Sequence, residues 1–139
     1  MAVIATDYSH YSNLVKASDS AHTELFHDVI VVNEAAQKSY VVGTVLGKVT
    51  ATGKYKISVQ TANDGSQNPI AIVVGDSFGN AAPFTVAATT DTNVVALTRG
   101  KVIVSKSALA FDSTFDLQAE LDAAYASLKT VNIIAETAI

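Results

Sequence analysis

The chain has 139 residues, 49% apolar by count but only 7% aromatic and without Trp, and its net charge is -4. A chain of this length is one domain's worth and can bury a core of its own. Its nine Lys and Arg are scattered, which argues against a nucleic-acid phosphate footprint; cysteine is absent, so no disulfide or thiolate site is possible; and no apolar run approaches the roughly 18 residues of a membrane span. Ala and Val carry most of the hydrophobicity, so the core is thin per residue, and oligomerisation or a partner surface is expected to supply burial that the monomer lacks. The N-terminus has no basic region followed by an apolar stretch, so no secretory signal is expected, and a protein made and assembled in the cytoplasm is the simplest fit.

Residues 1–27 read as an extended N-terminal arm. Ser, His, Asp, Asn, Tyr and Lys alternate there without helical or strand period, and the apolar residues form small islands. Such a segment buries too little to fold alone. It is either a frayed terminus or an arm that orders on a partner by adding a strand to that partner's sheet. Apolarity and aromaticity pick out Val3, Ile4, Tyr8, Tyr11 and Leu14 as its anchors.

Residues 28–139 read as a single β-rich domain. Asp28 to Asn33 is a short apolar strand, and the polar stretch Glu34 to Ser39 is expected to be a loop. Thr44 to Val49 and Lys54 to Gln60 read as a hairpin, the second strand placing Tyr55, Ile57 and Val59 on one face and Lys54, Lys56 and Ser58 on the other. Gly53 is expected to supply the positive φ of the connection. Gly43 and Gly47 mark a bend or a place where a side chain collides with a neighbouring backbone. Asp64-Gly65 is the turn signal of the next loop, and Pro69 opens a strand over Ile70 to Val74. Phe84 to Ala88 is a further strand. Asn93 to Arg99 and Lys101 to Ser105 read as one strand kinked at Gly100.

The pattern then changes. Ser113 and Asp116 match a capping box, and Leu117, Leu121, Ala124 and Leu128 form one stripe, so a helix is expected over Phe115 to Lys129, packed by Leu117, Leu121 and Leu128. Val131 to Ile134 is a closing strand.

No catalytic set emerges. The histidines are His10, His22 and His27; the latter two lie near Glu24 and Asp28, but their spacing puts them on one face of neither a helix nor a strand, so solvated arm residues are the better reading than a metal site. There is no Gly-x-Ser-x-Gly elbow, no His after residue 27 and no phosphate-cradling loop. Asp64 and Asp76 read as turn formers, and Asp112, Asp116, Glu120 and Asp122 as a solvated helix face. Arg99, the only arginine, could pair across a subunit interface, pair with a helix carboxylate, or stand exposed at a strand end.

On periodicity alone, Gly43 to Tyr55 (GTVLGKVTATGKY) is an ordinary hairpin. It also resembles the signature of the bacteriophage head decoration family, the small proteins that cement tailed-phage capsids, the lambda-type protein among them. Asp64-Gly65-Ser66-Gln67-Asn68 and Val94-Val95-Ala96-Leu97-Thr98-Arg99-Gly100 follow in the family's order and spacing. The residues carrying the resemblance are Gly43, Thr44, Gly47, Lys48, Gly53, Tyr55, Asp64, Gly65, Arg99 and Gly100, within somewhat under half the chain. The resemblance implies a small barrel-like or tulip-like β fold and a non-enzymatic virion protein on the capsid exterior. It further implies a homotrimer at three-fold and quasi-three-fold positions, with the major capsid protein and its own copies as partners. No cofactor, nucleic acid or membrane is expected. Beyond Gly100 no further motif matches, which leaves the helix without an assigned role. A tail or fibre component is the alternative reading; a small β-fold hydrolase is a more distant one.

Overall fold

A computed structural model describes residues 15–18, 27–76, 83–99 and 102–137. The strands are β1 (Val15–Ser18), β2 (His27–Val32), β3 (Lys38–Tyr40), β4 (Val45–Lys48), β5 (Tyr55–Ile57), β6 (Pro69–Asp76), β7 (Phe84–Val86), β8 (Thr92–Leu97), β9 (Val102–Ser105) and β10 (Ile133–Glu136). A 3-10 turn, Lys106–Ala108, and the α-helix α1, Gln118–Lys129, lie between β9 and β10. The body is mainly β with one C-terminal helix, as the sequence implies.

Five strands close into a barrel in the order β2-β5-β4-β6-β8. The β2–β8 seam is antiparallel over six residue pairs, from His27 with Leu97 to Val32 with Thr92. The β2–β5 seam is parallel and rests on one pair, Val32 with Tyr55. Outside the barrel, β1, β9 and β10 form a three-stranded sheet in that order, and β3 pairs with β7.

Two apolar clusters result, and β6 and β8 serve both. Ala71 and Val73 of β6 and Val94 and Ala96 of β8 join Ile30, Val32, Leu46, Tyr40 and Val86 in the barrel interior. The alternate residues, Ile72, Val74 and Leu97, join Val102, Val104, Leu128 and Ile133 in a second cluster, where the outer sheet and α1 cover the barrel wall. Burial on both faces is why these strands are unbroken apolar runs in the sequence. On β2 the outer residues stay open: Val29 is 64% exposed and Val31 37%.

Several elements depart from the sequence reading, each for a local reason. Residues 15–18, placed in the arm, form β1 and pair antiparallel with β9. The kinked strand is two strands: β8 belongs to the barrel and β9 to the outer sheet. The polar stretch after β2 is not all loop, since Lys38–Tyr40 pairs with Phe84–Val86 and Glu34 is buried. Asp76 ends strand β6 opposite Val94 rather than forming a turn.

In the second hairpin strand the expected alternation fails: Tyr55, Lys56 and Ile57 are all half-buried and Ser58 is buried. Ser58 can lie inside because its hydroxyl donates to the Ser66 carbonyl at 2.7 Å.

The helix starts at Gln118 rather than Phe115. Asp112 accepts from the Thr114 amide and hydroxyl, which holds residues 112–115 in a turn of their own. Glu120 then caps the helix start by accepting from the amides of Asp116 and Leu117, so the expected Ser113–Asp116 box is not used. Leu117, as N-cap, points away from the core and is 61% exposed; Leu121 is half-buried, and Ala124 and Leu128 carry the packing.

Candidate functional site

The residues that carry the family resemblance gather at points where one stretch of backbone lies directly against another. Gly47 of β4 faces the loop that leads into β6: a Cβ there would sit 2.0 Å from the Ser66 carbonyl oxygen. Gly65, at φ +102°, faces the turn after β4, where a Cβ would lie 2.2 Å from the Thr50 hydroxyl. The Thr50 amide donates to the Asp64 carbonyl at 2.9 Å and ties the same two stretches together. Gly43, at φ +99°, meets the Ala108 carbonyl in the same way, and the Ala110 amide donates to the Gly43 carbonyl at 2.8 Å. These glycines admit backbone where any side chain would displace it.

Asp64 organises the loop. Its Oδ1 accepts from the Ser66 amide at 3.0 Å and the Ser66 hydroxyl at 2.5 Å, while the Gly65 amide donates to Gln67 Oε1 at 2.8 Å. The Ser66 hydroxyl above all, with its amide and the charge of Lys56, holds the Asp64 carboxyl below the usual carboxylate range. Gly53 has φ +71° and donates its amide to the Val49 carbonyl at 2.8 Å, closing the hairpin connection as expected. Thr44 is buried, with its hydroxyl donating to the Val41 carbonyl at 2.8 Å, and the Lys48 ammonium lies 5.8 Å from the Tyr55 ring centroid.

Arg99 pairs neither with the helix nor at a bare strand end. Its guanidinium bonds Asp28 across the β2–β8 seam, and the Thr98 hydroxyl donates to the same carboxylate at 2.6 Å. The Thr98 bond, then Arg99, lowers the Asp28 carboxyl below its ordinary value.

At the other end of β2 lies a group that sequence reasoning missed. Glu34, buried to 2% exposure, accepts from the Tyr40 hydroxyl and from the Ile57 amide, the latter at 2.7 Å. Its side chain thus extends the short parallel seam where β2 has already turned away from β5. Burial, reinforced by the Glu34 hydrogen bond, pushes the Tyr40 phenol far above its ordinary range. No sequence signal marks this pair, because a lone carboxylate after an apolar strand has the pattern of a solvated loop.

No group of three or more His, Cys, Asp or Glu able to hold a metal occurs among the described residues. His10, His22, the arm anchors Val3, Ile4, Tyr8, Tyr11 and Leu14, and Gly100 lie outside those residues. No helix among the described residues is long and apolar enough to cross a membrane.

The arrangement therefore joins backbones and, among the described residues, presents no clustered acid, base and ligand. The sequence matches the family described as bacteriophage lambda head decoration protein D over residues 5–133. The chain belongs to that family. It is accordingly a structural protein of the capsid exterior, a head decoration protein, and not an enzyme or a tail component. No curated protein matches the sequence individually. The match reaches from the arm to the start of β10, so the family's pattern extends past Gly100 and includes the helix. In this head decoration protein the glycines and turn residues that carried the resemblance build the fold. The surfaces that meet the capsid are a separate matter.

Proposed function

We propose that this head decoration protein clamps the capsid as a homotrimer seated at three-fold and quasi-three-fold positions, bridging neighbouring major capsid protein subunits. Internal DNA pressure pulls capsomers apart, and a symmetric clamp resists it through many weak contacts that add by avidity. Residues 1–14 are the attaching arm, with Val3, Ile4, Tyr8, Tyr11 and Leu14 as anchors. The observation that carries this assignment is the position of β1. The arm runs directly into an edge strand of the β1-β9-β10 sheet, and a strand continued beyond that edge can pair with another chain. The open apolar positions Val29 and Val31 are in keeping with a chain that gains burial on assembly.

Co-sedimentation with mature, undecorated heads of its own phage tests the proposal. Saturable binding near one copy per capsid subunit is expected, as is crosslinking of head-bound copies in threes. Deleting residues 2–13 is expected to leave the circular dichroism spectrum intact and weaken head binding. Absence of binding to heads sinks the clamp; a truncated chain that does not fold shows instead that the arm belongs to the core.

A further inference from the structure

Asp-Gly is the dipeptide most prone to spontaneous succinimide formation, because glycine puts no side chain in the way of its own amide nitrogen. Asp64-Gly65 lies in an exposed loop, with Asp64 open to water and Gly65 half-buried. Burial therefore does not shield it. The hydrogen bonds of the turn do.

We propose that Asp64-Gly65 is a latent isoaspartate site, a peptide bond poised for spontaneous modification that the 64–67 turn holds closed in the folded chain. In the reaction the Gly65 amide nitrogen attacks Cγ of the protonated Asp64 side chain. The N–Cγ bond forms, and the carboxyl hydroxyl leaves as water with the amide proton. Solvent water then opens the ring at either carbonyl, giving aspartate back or routing the main chain through the side chain as isoaspartate. No oxidant or reductant takes part.

Each participant in the first step is engaged elsewhere. The nucleophile is committed, since the Gly65 N–H donates to Gln67 Oε1 at 2.8 Å. The electrophile is held by the Ser66 amide and hydroxyl on Asp64 Oδ1, at 3.0 and 2.5 Å. Those bonds, with nearby Lys56, favour the ionised carboxylate, which is the unreactive form. The backbone on both sides is fixed as well. The Asp64 carbonyl accepts from the Thr50 amide, the Ser66 carbonyl accepts from the Ser58 hydroxyl, and the Ser66 backbone lies directly against Gly47 of β4, where a Cβ would sit 2.0 Å from its carbonyl oxygen. Ring closure needs the Asp64 side chain to swing onto the Gly65 nitrogen, and that breaks the turn first. Isoaspartate would add a methylene to the main chain where Gly65 has contact but no spare room, so the modification would work the loop loose from β4.

The test is a time course of isoaspartate at position 64, read by peptide mapping at neutral pH. It compares the intact chain, the Gln67→Ala variant and a synthetic peptide of residues 61–69. The intact chain is expected to react far more slowly than the peptide. Gln67→Ala, with an unchanged circular dichroism spectrum, is expected to react roughly fivefold faster than the parent chain, the rate equivalent of one ordinary hydrogen bond. An intact chain that isomerises as fast as the peptide overturns the proposal. So does a folded Gln67→Ala chain with the parent rate. If Gln67→Ala does not fold, the comparison of intact chain with peptide decides alone.

Discussion

The two apolar clusters are built in opposite ways. The barrel interior draws on residues between Ile30 and Ala96, and it contains a polar seam, Glu34 with Tyr40 and the Ile57 amide. The outer cluster is apolar among its buried members and spans the described chain: Val15 near one end and Ile133 near the other flank it from strands either side of β9. The interior joins β2 to β5 through one residue pair and the Glu34 side chain; the outer cluster joins a strand from early in the described chain and one from late in it on either side of β9. One is therefore sensitive to the loss of a hydrogen bond, the other to the loss of volume.

The strongest way to break that contrast is to empty the outer cluster. Leu128→Ala is expected to cost roughly 2–5 kcal/mol in urea unfolding, because Leu128 is fully buried between α1 and the barrel wall. A cost below that range would mean that the cluster collapses around the cavity. The corresponding strike at the interior is Tyr40→Phe, which keeps the ring against Phe84 but removes the donor to Glu34. A cost of about 1–3 kcal/mol is expected, since a buried carboxylate loses one of two partners. A neutral result would show that the seam holds without it.

A smaller effect sharpens the comparison at the rim. The Asp28 carboxyl is lowered in the fold by Thr98 and Arg99. A lowered folded value means that this group adds stability above its unfolded value and loses it as pH falls through the folded one. The contribution is thus complete at neutral pH and disappears in the acid range below roughly pH 4. Both partners are more than a third exposed, so Asp28→Asn is expected to cost at most about 1 kcal/mol at neutral pH, and to flatten the acid limb of the pH–stability curve. A variant with the parent's acid limb would remove Asp28 from the account. Smallest of all, Leu117→Ala is expected to stay within about 0.5 kcal/mol, because Leu117 lies outside both clusters.

The apolar runs show how far the sequence could be read. Val29-Ile30-Val31-Val32, Ile70 to Val74 and Val94 to Leu97 look alike as strings, and each does form a strand. Yet two of them are covered on both faces and one only on its inner face, since the outer sheet lies over β6 and β8 and leaves β2 open. Nothing local distinguishes them. The same holds for the helix stripe: Leu117 continues the spacing of Leu121, Ala124 and Leu128, but the turn at Asp112 sets the helix start after it. The family resemblance, by contrast, was legible because the close backbone approaches at Gly43, Gly47 and Gly65 each require glycine, and such a requirement survives as a letter in the sequence.

By itself, the sequence determined the elements that depend on neighbours along the chain. These are the β-rich body, the Gly53 and Asp64-Gly65 turns, the C-terminal helix and the kinship with head decoration proteins. Their causes are side-chain period, φ preference and the absence of a Cβ, all written within a few residues. Only the tertiary structure decided which strand faces are covered, that Val15–Ser18 belongs to the sheet, that β8 and β9 part company, that Arg99 meets Asp28, and that Glu34 is buried. Each of these depends on groups brought together from distant parts of the chain, and burial and partnership are properties of that meeting rather than of either residue.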